Sequence, residues 1–294
     1  MAFSPARKSW PVYTAAMAAI LLWSSAFPAI RYSLGFYSPE SIMLFRFLAA
    51  SATLAVIGAI KKIRLPHKKD IPIFVLGGFV GIFLYMLFSK FGAVSVEAGV
   101  GSFIIASIPV FALILSTFIL KEKVGLACWA GVGISFAGLI VIMINQSAGL
   151  AIEIGVILFL LAAIAGSFHN IIQRKIMRTY TAMESITYSI FFATCFMLIY
   201  FPTLIREVPE SNLSVNLIVA YLGVFPAALA YLSWNWALSK AEKTTYVIVF
   251  LYLSPFLASV IAYFWLGETF SIWTFLGGVV IIAGMVMTNW AAKK

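Results

Sequence analysis

Residues 98–143 read AGVGSFIIASIPVFALILSTFILKEKVGLACWAGVGISFAGLIVIM, and residues 244–289 read TTYVIVFLYLSPFLASVIAYFWLGETFSIWTFLGGVVIIAGMVMTN. Laid over one another without gaps, at an offset of 146, they bring Pro109 onto Pro255, Phe118 onto Phe264, Leu120 onto Leu266 and Glu122 onto Glu268. Further on, Gly131 meets Gly277, Ala137 meets Ala283 and Gly138 meets Gly284. One identity between apolar segments carries little. The order carries more: a proline inside an apolar run, a glutamate in the short turn after it, and two glycines seven residues apart in the next run. Near an offset of 144, Glu40-Ser41-Ile42 also meets Glu184-Ser185-Ile186. Such a repeat bears on the whole architecture.

The repeat sits in a chain of 294 residues that is 63% hydrophobic and 10% charged, with a mean hydropathy of +1.05. Soluble domains are nearer half apolar and a quarter charged. A lipid bilayer, itself an apolar solvent, accommodates what a soluble core of this size cannot. A helix rises 1.5 Å per residue, so roughly 20 apolar residues cross a hydrocarbon core of about 30 Å. Apolar runs of that kind fall at 12–34, 40–60, 71–89, 98–120, 125–145, 152–172, 182–205, 214–237, 244–266 and 271–291. The first is too long for the apolar region of a cleaved signal peptide and counts as a helix. Short connections make neighbouring helices antiparallel.

Basic residues orient the spans, because cytoplasmic loops are enriched in Lys and Arg. With the N-terminus inside, the inner segments hold Arg7, Lys8, Lys61, Lys62, Arg64, Lys68, Lys69, Lys121, Lys123, Arg174, Lys175, Arg178, Lys240, Lys243, Lys293 and Lys294. Lys90 and Arg206 remain outside, Arg31 lies near the end of a span, and Arg46 lies within one. Both termini are therefore expected in the cytoplasm. Five spans per half is an odd number, so the second half enters the membrane with opposite polarity. The expected fold is an all-α membrane protein of ten transmembrane helices, arranged as two inverted-topology five-helix repeats at 1–148 and 149–294. Such repeats bind substrate near the bilayer midplane, between the halves.

The paired proline-centred helices, each followed by a Glu-containing turn and a glycine-rich helix, resemble the EamA domains of the drug/metabolite transporter superfamily. Trp23-Ser24-Ser25-Ala26-Phe27 resembles that family's opening helix. The resemblance covers about 12–290, and the chain is similar to the YddG-type exporters of aromatic and other amino acids in bacterial inner membranes. It implies export of small neutral metabolites, most of all amino acids. Alternatives are a lipid or polyprenyl-carrier flippase and a transporter of other drug-like metabolites.

Polar and aromatic groups placed within the spans supply the candidate site, because intramembrane polar side chains usually face a cavity or a partner. They are Trp23, Ser24, Tyr85, Phe103, Ser107, His169, Asn170, Tyr231, Trp234, Tyr246 and Tyr252. Aromatic faces mixed with hydroxyl and amide groups suit a solute with an apolar body and a few hydrogen-bonding groups. Each also has a plainer reading, as an interfacial anchor or a serine bonded to its own helix. His169 is expected to line the pathway without carrying protons. Arg46 has three open readings: snorkelling outward, binding a substrate carboxylate, or pairing with Glu40. Pro109 and Pro255 are expected hinges, each removing a helix hydrogen bond. The glycines of the fifth and tenth spans are expected to allow close helix packing.

Other classes find little support. Cys128 and Cys195 are the only cysteines and lie in apolar runs, which leaves no disulfide or metal framework. Asp70 is the one aspartate and lies in a loop; no glutamate falls at mid-membrane. No phosphate-binding glycine loop and no catalytic cluster occur. The expected partners are a small-molecule substrate and the bilayer, with no nucleic acid and no cofactor, and the protein is expected to work as a monomer by gradient-driven uniport or facilitated export.

Overall fold

The computed structural model describes residues 6–108, 110–111, 114–115, 125–146, 154–240, 250, 253–269 and 272–291. The helices are α1 (Ala6–Ser33), α2 (Pro39–Lys61), α3 (Ile71–Leu76), α4 (Tyr85–Gly92), α5 (Ala98–Ile105), α6 (Leu126–Gln146), α7 (Ile154–Ile176), α8 (Ala182–Met197), α9 (Phe201–Glu210), α10 (Leu213–Leu222), α11 (Ala230–Lys240), α12 (Ser254–Leu266) and α13 (Ile272–Ala291). Two π-helical segments are spliced between them: π1 (Gly77–Leu84) joins α3 to α4, and π2 (Gly223–Leu229) joins α10 to α11. Among the described residues there is no strand. An all-α membrane protein is what apolar segments of this length must form, since a helix satisfies its backbone hydrogen bonds internally.

The ten-span, inverted five-helix expectation is corrected. Among the described residues, six helical runs are long and apolar enough to cross a membrane: Trp10–Ser33, Pro39–Lys61, Lys68–Gly92, Ile154–Gln173, Ala182–Glu210 and Leu213–Ala237. The apolar helical stretches Trp129–Gly138, Ser254–Leu266 and Phe275–Gly284 are shorter, and no inverted five-helix pattern emerges. The physical reason is continuity. Hydropathy counts apolar residues whether or not one helix holds them. The 13 residues of α12 rise about 20 Å, short of a hydrocarbon core of about 30 Å. Helix α5 stops after eight residues, at a turn over Ala106 and Ser107 where the Ser107 N–H donates to the Ile104 carbonyl.

The ends of the helices are written locally. Ser38 caps α2, its hydroxyl accepting from the Ser41 N–H, with Pro39 in the first turn. Thr181 and Glu184 form a reciprocal capping box on α8. Asn212 caps α10 by accepting from the Val215 N–H, and Gly267, at φ +68°, closes α12. Pro255 is buried in the first turn of α12, where no helical bond is lost. This differs from the mid-helix hinge expected of it; Pro109 lies outside the described residues.

Helices α6 and α13 lie along each other at the distance that their glycines allow. A side chain on Gly138 would collide with the Gly277 carbonyl, and one on Gly284 with the Gly131 carbonyl. The main core gathers α2, π1, α4, α8, α10 and π2 around Ile42, Leu44, Phe47, Leu54, Ile82, Ile190 and Leu222. A smaller cluster joins α1 to α11 through Val12, Ala16, Ile20, Ala230 and Trp234.

Candidate functional site

The site grows from π2. Pro226 lies within it and has no N–H to give the ladder, and the wide π turn leaves carbonyls available. The Pro226 carbonyl accepts from Trp23 Nε1 at 3.0 Å. That bond sets the Trp23 ring 5.2 Å from Tyr231 and 5.3 Å from Trp234. The His169 ring lies 6.4 Å from Tyr231, edge to face. Helix α7 delivers His169 against π1, where a side chain on Gly81 would collide with the imidazole. Its Nδ1 is buried without a hydrogen-bond partner. Four predicted residues from α1, α7 and α11 therefore form one aromatic cluster.

Two cations are buried nearby on α2 and on α4. Arg46 on α2 is 4% exposed; its Nε is buried with no hydrogen-bond partner and its guanidinium carbon lies 5.8 Å from the Phe47 ring centroid. Tyr85 and Tyr231 are its electrostatic neighbours, which ties the predicted Tyr85 to the same region. Lys90 on α4 is also 4% exposed, and its Nζ reaches the Ser89 hydroxyl at 3.4 Å. The snorkelling reading of Arg46 and its pairing with Glu40 are not what the structure shows. Lys90 was expected at the outer face; it is buried.

The remaining predicted residues sit elsewhere or are spent on packing. Ser24 donates to its own helix at the Ile20 carbonyl, 2.7 Å away, and meets the Ser254 hydroxyl at 3.2 Å. Ser107 donates to the Ile104 carbonyl. Phe103 is 1% exposed and packs edge to face on Phe256, away from the aromatic cluster. Tyr246, Tyr252 and the Asn170 side chain lie outside the described residues. Sequence reasoning passed over Tyr221, whose hydroxyl shares a 2.7 Å hydrogen bond with that of Ser25 near Trp23.

One end of the bundle is tied shut. Arg31 donates to the Ala93 and Val94 carbonyls at 2.7 and 2.6 Å and lies 3.8 Å from the Glu268 carboxylate. Glu268 also accepts from the Ala98 N–H. Burial and the Glu268 charge push the Glu97 carboxyl up, with Arg31 opposing them. A cavity of about 520 Å³ opens beside this latch, lined by Arg31, Leu34, Gly35, Phe36, Tyr37, Ser38, Pro39 and Val94. None of the predicted site residues lines it. The opposite end holds the Arg64–Glu184 ion pair, at 3.1 Å, and Tyr180 bonded to Asp70. Among the described residues no group of His, Cys, Asp and Glu could hold a metal ion.

Known proteins are similar to this chain over most of its length. The EamA-like transporter family matches residues 10–144 and again residues 153–290. The uncharacterized transporter YdfC of Bacillus subtilis is 33% identical over 93% of this chain and 89% of its own. A protein of Streptantibioticus cattleyicolor named "Probable terminal-alkyne amino-acid exporter" is 30% identical over 92% of this chain and 90% of its own. A solved crystal structure superposes with a TM-score of 0.69 at 19% identity, over 96% of this chain and 97% of that one, which shows a shared fold. A multi-pass membrane protein with these matches is a transporter of small molecules and not an enzyme: the chain belongs to the EamA-like transporter family.

Proposed function

We propose that this protein exports small metabolites, chiefly amino acids including aromatic ones, by alternating access around the cluster of Trp23, His169, Tyr231 and Trp234. The observation that carries this reading is the cluster itself: aromatic faces, a free imidazole nitrogen and a backbone carbonyl drawn together from distant parts of the chain. Such a surface suits an apolar or aromatic body bearing a few polar groups. The name of the 30%-identical relative supports amino acids as the class, and the resemblance to YddG-type exporters points the same way. In this reading the touching rings part to admit substrate, and the Arg31 latch closes the far side. The basic termini and the basic Arg64 end face the cytoplasm.

The test is flux through liposomes containing the purified protein, across a broad panel of labelled amino acids. Wild-type flux above empty liposomes is expected, changed by Trp23→Ala and by His169→Ala. Flux equal to empty liposomes across the panel would refute the substrate class.

A further inference from the structure

Among the described residues, no carboxylate pairs with Arg46 or Lys90. Each is 4% exposed, and they are electrostatic neighbours of like sign. The carboxylates among the described residues are engaged or stand at helix ends. Glu184 is held by Arg64, Glu268 by Arg31, Glu207 by the Ser38 backbone and hydroxyl, and Asp70 by Tyr180. Glu40, Glu97 and Glu210 lie at the termini of α2, α5 and α9. Keeping one unpaired cation inside a membrane bundle is costly, and setting two together adds repulsion to desolvation. Packing gives no return for that cost, since an apolar residue of similar size would fill the same space more cheaply.

We propose that a carboxylate of the transported solute bridges Arg46 and Lys90 and supplies the missing negative charge; this rests on the export reading above. A guanidinium presents a planar fork that matches a carboxylate, and an ammonium adds a second, more adaptable donor. Tyr231 borders both Arg46 and the Trp23 ring. A solute held by its carboxylate at the cations therefore lays its body against the aromatic cluster. No described carboxylate faces the cluster to receive an amino group, which can rest only on ring faces. Recognition then depends on the carboxylate and tolerates loss of the amine.

The test is counterflow of labelled L-phenylalanine into liposomes, competed by two unlabelled probes. One is 3-phenylpropionate, which keeps ring and carboxylate; the other is L-phenylalaninamide, which keeps ring and amine. The acid is expected to compete at least about tenfold better than the amide, a difference of about 1.4 kcal/mol. In Arg46→Gln and Lys90→Gln the preference is expected to fall to within about twofold. Both variants are expected to melt no lower than wild type, because an uncompensated charge has been removed. Equal competition by the two probes in the wild type would overturn the proposal, as would an unchanged preference in both variants. Lower melting of both variants would assign the cations a structural role and overturn it as well. Should neither variant fold, the wild-type preference decides. Absence of any L-phenylalanine counterflow would count against the export reading. Calorimetric titration of the detergent-purified protein with the same two probes then tests the carboxylate site separately, with the same tenfold order expected.

Discussion

Trp23→Phe isolates the contact that assembles the aromatic cluster. The phenyl ring still faces Tyr231 and Trp234, but the donor to the Pro226 carbonyl at 3.0 Å is gone. A typical hydrogen bond contributes about 1 kcal/mol net, and an acceptor left unsatisfied away from water costs about 1–3 kcal/mol. This bond is part-buried, so a loss of about 1–2 kcal/mol is expected, near the middle of that range. Trp23→Ala also forfeits two ring contacts, each worth about 0.5–1.5 kcal/mol, and should cost about 3–5 kcal/mol. Reversible unfolding in mild detergent, followed by far-UV ellipticity, measures both without relying on tryptophan emission. Pro226→Ala is the control, because the restored N–H frees π2 to take the α pattern, in which the Ala230 N–H, now on the Phe225 carbonyl, takes the residue-226 carbonyl in competition with Trp23. In that background the cost of Trp23→Phe should shrink by at least about 0.5 kcal/mol, the size of a resolvable coupling. A Trp23→Phe protein as stable as wild type, or one equally destabilised with and without Pro226, would refute the view that π2 positions Trp23.

Other perturbations test the surroundings. Arg31→Ala breaks the latch to Ala93, Val94 and Glu268; in a Cys128→Ser/Cys195→Ser background, Val94→Cys should react faster with a membrane-impermeant maleimide once the latch is gone, while the partly exposed ion pair itself contributes no more than about 1 kcal/mol to stability. Gly81→Ala drives a methyl into the His169 ring and should destabilise by about 1–3 kcal/mol, an effect that His169→Ala should relieve when unfolding of the double variant is measured. Glu184→Gln weakens the capping box and the pairing with Arg64, and a loss of about 1–2 kcal/mol is expected in thermal unfolding; no loss would show that another group holds the start of α8.

The aromatic cluster was legible because large rings within apolar runs are few and their depth can be counted. Trp23, His169, Tyr231 and Trp234 were all found that way, and they meet although up to 211 positions separate them in the chain. Depth also named Phe103 and Ser107, which do not join the described cluster. Both lie well inside an apolar run, yet Phe103 packs on Phe256 and Ser107 bonds its own backbone. Which side of a helix faces the site depends on its rotation, and a helix apolar all round gives no periodic signal to fix that. Lys90 was misread for a related reason. It lies two residues from the end of α4, where charge counting assigns a lysine to the surface and only tertiary packing shows it buried. The span count failed at helix continuity, because hydropathy does not register the turn at Ala106 and Ser107 that ends α5.

The least legible feature was the backbone itself. The 146-residue offset that aligns 98–143 with 244–289 also aligns Gly77 with Gly223, which start π1 and π2, and Tyr85 with Tyr231, the first residue of α4 and the second of α11. A π segment adds a residue to the helical turn without changing composition, so hydropathy passes over it. Its effect is nevertheless specific. It shifts everything beyond it around the helix axis and leaves carbonyls available at the shift. On π2 that carbonyl holds Trp23, and the shifted residue is Tyr231, which faces both Trp23 and Arg46. On π1 the widened turn receives His169, and the shifted residue is Tyr85, again beside Arg46. The two π segments thus bring two tyrosines to one buried cation from opposite ends of the sequence. Two tyrosines provide hydroxyls and ring faces but no full negative charge at neutral pH. With no described carboxylate beside Arg46, the proposed solute carboxylate is the group that completes this arrangement.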